Sequence, residues 1–125
     1  MKLSTLVNPQ FQVTLRKLAG QDIPLRTAFT LRGIIKRCNE ELAKYEEVRI
    51  SAVNKFGSKK EDGSLDMNEQ GGAKLTDENA ALFTAELNTL LDTTVSIGSI
   101  KASELGEKAT LTASDLMLLD EVVAD

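Results

Sequence analysis

The chain of 125 residues contains no histidine, no tryptophan and a single cysteine, Cys38. Without histidine, a Ser-His-Asp triad, a Cys-His pair and an imidazole base that titrates near neutral pH are all excluded. Zinc sites, which are built mainly from cysteine and histidine, are excluded for the same reason. Any catalysis would depend on carboxylates, lysines, Tyr45 or a metal bound by oxygen ligands. We therefore predict no catalytic residues, no cofactor and no metal site.

Aromatic residues are also scarce, at 4% of the chain. This scarcity disfavours a base-stacking platform for nucleic acid, and the net charge of −4 disfavours binding to a phosphate backbone. No apolar stretch approaches the roughly 20 residues that cross a membrane. The start of the chain, Met1-Lys2-Leu3-Ser4, leads into no signal-peptide core. We therefore expect no membrane segment and no nucleic-acid partner.

The composition itself is that of a folded protein. Hydrophobic residues make up 42% of the chain and charged residues 27%, as in ordinary globular domains. No internal repeat, low-complexity tract or linker divides the sequence. We therefore predict a single domain over residues 1–125, of usual domain size.

The most informative pattern lies in residues 24–57, where apolar side chains recur at alternating steps of three and four. This spacing predicts one long helix with an apolar stripe, interrupted only by Arg49. The stripe must pack against another helix of this chain or of a second copy, and we predict a homo-oligomer formed through it. Cys38 fits the stripe as a buried thiol in a reducing compartment. We call this stripe the seam; its residues are Ala28, Leu31, Ile35, Cys38, Leu42, Tyr45, Ala52 and Phe56.

Capping signals predict three shorter helices. One begins at Pro9 after Asn8 and ends at Gly20, one follows Thr76, and the last begins near Thr112. The second of these should bury Ala80, Phe83, Leu87, Leu90 and Leu91. The last should bury Leu116, Leu119, Val122 and Val123.

The remaining segments predict a loop and a small β element. Residues 57–75 break the helical pattern and form a loop or a small hairpin around Asp62-Gly63. Thr94 to Ile97 alternate like a strand, and residues 100–105 pair with this strand or extend it. The expected fold is mainly α (α+β), with one long central helix, three shorter helices and a small β element.

Basic residues cluster between Arg16 and Arg37, where six of them stand against Asp22 alone, whereas residues 104–125 carry six acids against Lys108. These two segments can attract one another or form solvated surface. Arg26, Thr30, Gly33 and Arg37 share one helical face, away from the seam. We call it the arginine face. It predicts either ordinary surface or a site for an anionic small ligand or an acidic partner, which the helix-interior glycine would let approach closely.

The loop before the third helix offers a weaker candidate. Gly71, Gly72 and Lys74 precede a helix, where backbone amides can hold a phosphate. The motif lacks the spacing of a P-loop, so a flexible loop is the alternative. The acidic run that begins at Asp62 departs from a calcium loop, because Met67 occupies the position of the turn glycine.

A sequence resemblance lies in residues 18–28 and 39–49, and later in Phe83, Glu86, Leu87, Leu90, Leu91, Val95, Leu111, Thr112, Asp115, Leu116 and Leu119. In these segments the chain resembles a family of small uncharacterised bacteriophage proteins. The resemblance implies a protein that acts in the host bacterial cytoplasm or in the virion, but it carries over no functional residues. We expect a non-enzymatic, oligomeric interaction protein of virion assembly or structure, whose partners are phage structural proteins. The alternative is a counter-defence protein that binds a host defence component or an anionic nucleotide signal.

Overall fold

The structure is a computed structural model that describes all residues, Met1–Asp125. It is mainly helical, with one long helix and a small sheet of two parallel strands, which confirms the predicted fold class. No helix combines the length and apolar composition needed to cross a bilayer. The helices are α1 (Leu3–Leu6), α2 (Pro9–Ala19), α3 (Leu25–Phe56), α4 (Asp77–Leu91) and α5 (Ala113–Leu118), and the strands are β1 (Ile100–Lys101) and β2 (Val123–Ala124).

Helix α3 contains 32 residues and is therefore about 48 Å long. It begins directly after Pro24, whose carbonyl accepts a hydrogen bond from the Ala28 amide at 2.9 Å. At the other end the Gly57 amide donates to the Val53 carbonyl at 2.8 Å. The predicted bounds of 24–57 are thus right to within one residue at each end.

The capping signals also placed the starts of the shorter helices correctly. The Asn8 side chain accepts from the Gln10 amide at 3.0 Å, and the Thr76 hydroxyl accepts from the Asn79 amide at 3.2 Å. Thr112 and Asp115 form a reciprocal capping box at the start of α5. These bonds satisfy amides that the first turn of a helix leaves without partners. The short helix α1 was not predicted.

The predicted pairing of the strand at Thr94 with residues 100–105 is wrong. Thr94 forms only an isolated antiparallel bridge with Lys2, and Ala102–Leu105 is a 3₁₀ helix. Strand β1 pairs instead with β2 in parallel, with Ile100 opposite Val123. The last helix was predicted to carry Leu119, Val122 and Val123, and this is wrong, because α5 ends at Leu118 and Val123 lies in β2. Val122 and Val123 are buried as expected, but outside the helix.

The chain folds as two compact units, Met1–Leu42 with Thr93–Asp125 and Ala43–Asp92. The first part of α3 belongs to the first unit, and the rest belongs to the second. Because the two units share one continuous helix, they can unfold together as one domain or separately as two. The single domain over residues 1–125 therefore stays a prediction.

The first unit has a well-developed core. Fourteen of the fifteen buried hydrophobic residues of the chain lie in it. Leu119 is buried as predicted, whereas Leu116 is 41% exposed, contrary to prediction, on the outer side of α5. The largest side chains of this core are Leu6, Phe11, Leu18, Leu31, Ile34, Leu119 and Val122.

The second unit has almost no core. Phe56 is its only buried hydrophobic residue, and α4 contains no buried residue at all. The predicted face of α4 is therefore less buried than expected. Its residues are only half-buried; they are Ala80, Phe83, Leu87, Leu90 and Leu91. The loop between the helices forms two small turns with bridges Lys59 to Leu65 and Met67 to Ala73, which confirms the small hairpin around Asp62-Gly63.

Candidate functional site

The arginine face lies in the first half of α3, and its residues differ in their surroundings. Arg26 and Thr30 are exposed, and the Thr30 hydroxyl donates to the Arg26 carbonyl at 3.2 Å. Arg37 reaches across the first unit, where its Nη1 donates to the carbonyl of Ile97 at 3.2 Å. Arg37 therefore holds the segment before β1, a structural contact that helical spacing alone does not reveal.

The glycine of this face has no packing role within the chain. A Cβ atom added at Gly33 would meet nothing within 4 Å. Close packing within the chain occurs at another glycine, Gly98, where an added Cβ would lie 3.0 Å from Arg37 Nη1. Gly98 also has a φ of +95°, which disfavours other residues. The arginine face is therefore open at Gly33 and occupied by the chain itself at Arg37.

The basic and acidic segments meet within the first unit. Lys17 Nζ lies 2.5 Å from Asp115 Oδ2, and α2 packs against α5 at this point. The hydrogen bond from the Lys17 ammonium group lowers the pKa of Asp115 below its usual value, and the hydrogen bond from the Thr112 amide adds a smaller effect in the same direction. Part of the charge pattern thus serves an intrachain contact.

The glycine-rich loop uses its own amides. The Gly72 amide donates to Asn68 Oδ1 at 2.9 Å, and the Gly71 amide donates to the Asn68 carbonyl at 3.0 Å. The Lys74 amide donates to the Asp66 carbonyl at 2.8 Å. A phosphate at Gly71, Gly72 and Lys74 would have to displace these bonds, and Asn68 occupies the position that an anion would take.

In the first unit the seam is largely covered by the chain itself. Leu31 and Cys38 are buried, while Ile35 and Leu42 are half-buried. Burial raises the pKa of the Cys38 thiol, which favours its protonated form. Ile34 and Thr27 are also buried, although the sequence pattern did not include them. The Thr27 hydroxyl donates to the Glu104 carbonyl at 2.7 Å, so its burial depends on a distant segment.

In the second unit the seam stays more open. Tyr45 and Ala52 are half-buried, and only Phe56 is buried, with its ring 6.5 Å from the ring of Phe83 in an edge-to-face arrangement. Beside it lies an apolar hollow of about 380 Å³. The sequence pattern missed the loop residues Leu65 and Met67, although their alternate spacing is a signal of side chains on one face. The apolar lining of the hollow consists of Ile50, Val53, Leu65, Met67, Ala73, Leu75 and Phe83.

The titratable side chains form no cluster suited to a metal. No group of three or more Cys, Asp or Glu residues lies close enough together to hold an ion. What distinguishes the surface is its apolar content, including Leu25 at 87% and Phe29 at 75% exposure, one turn apart on α3. No protein-family model matches this chain, and comparisons with curated proteins and with solved structures also give no match.

Proposed function

We propose that this protein is phage-encoded and acts without catalysis, as an oligomeric interaction protein in the assembly or structure of the virion. Its place of action is then the host bacterial cytoplasm or the virion, and its partners are further copies of itself and phage structural proteins. The phage origin rests on the sequence resemblance, and the mode of action rests on the surface of the molecule.

One observation carries the proposal: the second unit buries a single hydrophobic residue, Phe56, although apolar side chains line both of its helices. Apolar surface left in contact with water costs about 25 cal/mol per Å², so burying it against a partner stabilises the complex. A protein whose helices are only half-covered is suited to association.

The counter-defence alternative receives less support from the geometry. It requires the arginine face to bind an anion, but Arg37 already donates to the Ile97 carbonyl. Both arginines of that face are exposed, but the guanidinium of Arg37 is partly engaged by this bond. Because anion sites usually combine several donors, a face on which one of two arginines already binds the backbone offers weaker recognition.

Sedimentation velocity over about 1 to 100 µM, a range typical of specific association, tests the proposal. We expect the weight-average mass to rise with concentration. A monomer at every concentration would contradict the proposal. The position of the gene adds a second test, because neighbouring morphogenesis genes favour assembly whereas a cluster of small early genes favours counter-defence.

A further inference from the structure

We infer that the second unit pairs with the second unit of another copy of this chain, so that two helical hairpins form a four-helix bundle. Each hairpin consists of residues 43–56 of α3 and of helix α4. The inference rests on the proposed function, because it names the surface and the partner of the oligomer.

The two helices of the hairpin carry matching apolar stripes. On α3 the stripe is half-buried except at Phe56, and on α4 it is half-buried throughout. At 100° per residue, each set falls on one side of its helix. The residues of this hairpin stripe are Tyr45, Ala52, Val53 and Phe56 on α3, with Ala80, Phe83, Leu87, Leu90 and Leu91 on α4.

Contacts between the helices concentrate where α3 ends and α4 begins. Asn79 Nδ2 donates to the Phe56 carbonyl at 3.1 Å, and Phe56 meets the ring of Phe83. Lys55 Nζ lies 3.3 Å from Glu86 Oε1. Within one chain the two helices and the loop residues Leu65 and Met67 leave the stripe partly open, whereas a bundle of four helices covers such a stripe from both sides.

The lengths of the two helices suit such a bundle. Helix α4 has 15 residues and is about 22 Å long, and residues 43–56 of α3 are about 21 Å long. Two hairpins of equal arms can pair about a two-fold axis, with identical surfaces meeting each other. A second copy therefore offers a partner of matching length without any further component.

The charges favour pairing of α4 with α3 of the other copy. Helix α4 contains Asp77, Glu78 and Glu86 but no lysine or arginine. Opposite charges on facing helices select partner and orientation. The contact of Lys55 with Glu86 shows this pairing already within one chain. Residues 43–56 carry a net charge of +1 against −3 for α4, although Arg49 is bonded to Glu46 of its own helix. Their charged residues are Lys44, Arg49, Lys55, Glu46 and Glu47.

Hydrogen exchange on the unmodified protein at about 1 and 100 µM locates the interface without any mutation. We expect amides of residues 43–56 and 77–91 to exchange more slowly at the higher concentration. Amides of α2, in the first unit, should exchange at the same rate at both concentrations.

A pair of matched substitutions provides the second measurement. Leu87→Glu places a carboxylate in the hairpin stripe and should weaken self-association by about a hundredfold, because each dimer then buries two charges. Leu25→Glu makes the same change at an exposed site of the first unit and should leave association unchanged. Circular dichroism of both variants reports whether the monomer stays helical.

The outcomes separate the inference from the proposed function. If the protein associates but the slowed amides lie in the first unit, or if only Leu25→Glu prevents association, the hairpin pairing is wrong and an oligomeric protein remains. If the protein is monomeric at both concentrations, both proposals fail. Slowed exchange in both arms of the hairpin, together with loss of association in Leu87→Glu, supports the four-helix bundle. If Leu87→Glu unfolds, the exchange pattern of the unmodified protein alone decides.

Discussion

The two units of this chain use the same long helix in different ways. In the first unit the seam of α3 meets other segments of the chain, so that Leu31 and Cys38 are buried. In the second unit the same periodicity continues, but Tyr45 and Ala52 remain half-buried. An apolar repeat thus predicts which face of a helix is buried. How far each side chain on that face is buried depends on how many other elements pack against it.

The core of the first unit provides the largest expected effect. Phe11 is 1% exposed, so Phe11→Ala should cost about 3–5 kcal/mol of unfolding free energy. Phe83→Ala in the second unit should cost less than about 2 kcal/mol at low concentration, because less apolar area is lost. Urea denaturation of both variants at two protein concentrations checks this. Equal costs at low concentration would remove the distinction between the units, whereas a cost of Phe83→Ala that grows with concentration would sharpen it.

At two glycines the packing of the units is the opposite of this general difference, because the second unit is close-packed at Gly57 and the first unit is open at Gly33. A Cβ at Gly57, in the second unit, would lie 2.6 Å from Leu65 Cδ2 and 2.7 Å from the Val53 carbonyl oxygen. Gly57→Ala should therefore destabilise the protein by about 1–3 kcal/mol through overpacking. Gly33→Ala meets open space and should stabilise the first unit by about 1 kcal/mol through helix propensity.

Thermal unfolding measured on both glycine variants tests these signs. A neutral Gly57→Ala would show that the second unit is loose even where its two helices meet. A destabilising Gly33→Ala would show that another molecule packs against the arginine face.

The smallest expected effect concerns pH. In the first unit, hydrogen bonds from Lys17 and from the Thr112 amide lower the pKa of Asp115. In the second unit, hydrogen bonds from the hydroxyl and the amide of Ser64 lower the pKa of Asp62. Because each folded-state pKa lies below the unfolded value of about 3.9, this stabilisation is complete above that pH and is lost as the pH falls through the folded-state pKa.

The two carboxylates can be told apart by one substitution. Lys17→Ala should raise the pKa of Asp115 toward its usual value and leave that of Asp62 unchanged, as followed by NMR titration of the carboxyl carbons. An unchanged Asp115 would mean that the contact with Lys17 does not persist in solution.

Much of the helical framework follows from local signals. Asn8, Thr76 and Thr112 mark helix starts because their side chains satisfy amides two or three residues away. Pro24 and Gly57 likewise bound α3 closely. The surroundings of the arginine face are harder to predict, because Arg37 donates to the carbonyl of Ile97, a residue distant in sequence.

The sequence by itself thus determined where helices α2 to α5 begin and that the long helix carries an apolar stripe, since both depend on residues within a few positions of each other. The tertiary structure decided the pairing of Ile100 with Val123, the burial of Ile34 and Thr27, and the incomplete covering of α4. These features depend on contacts between residues far apart in the chain, and such contacts leave no periodic trace in the segments that form them. The physical reason is that helix periodicity fixes the direction of each side chain, whereas burial depends on the presence of a second surface.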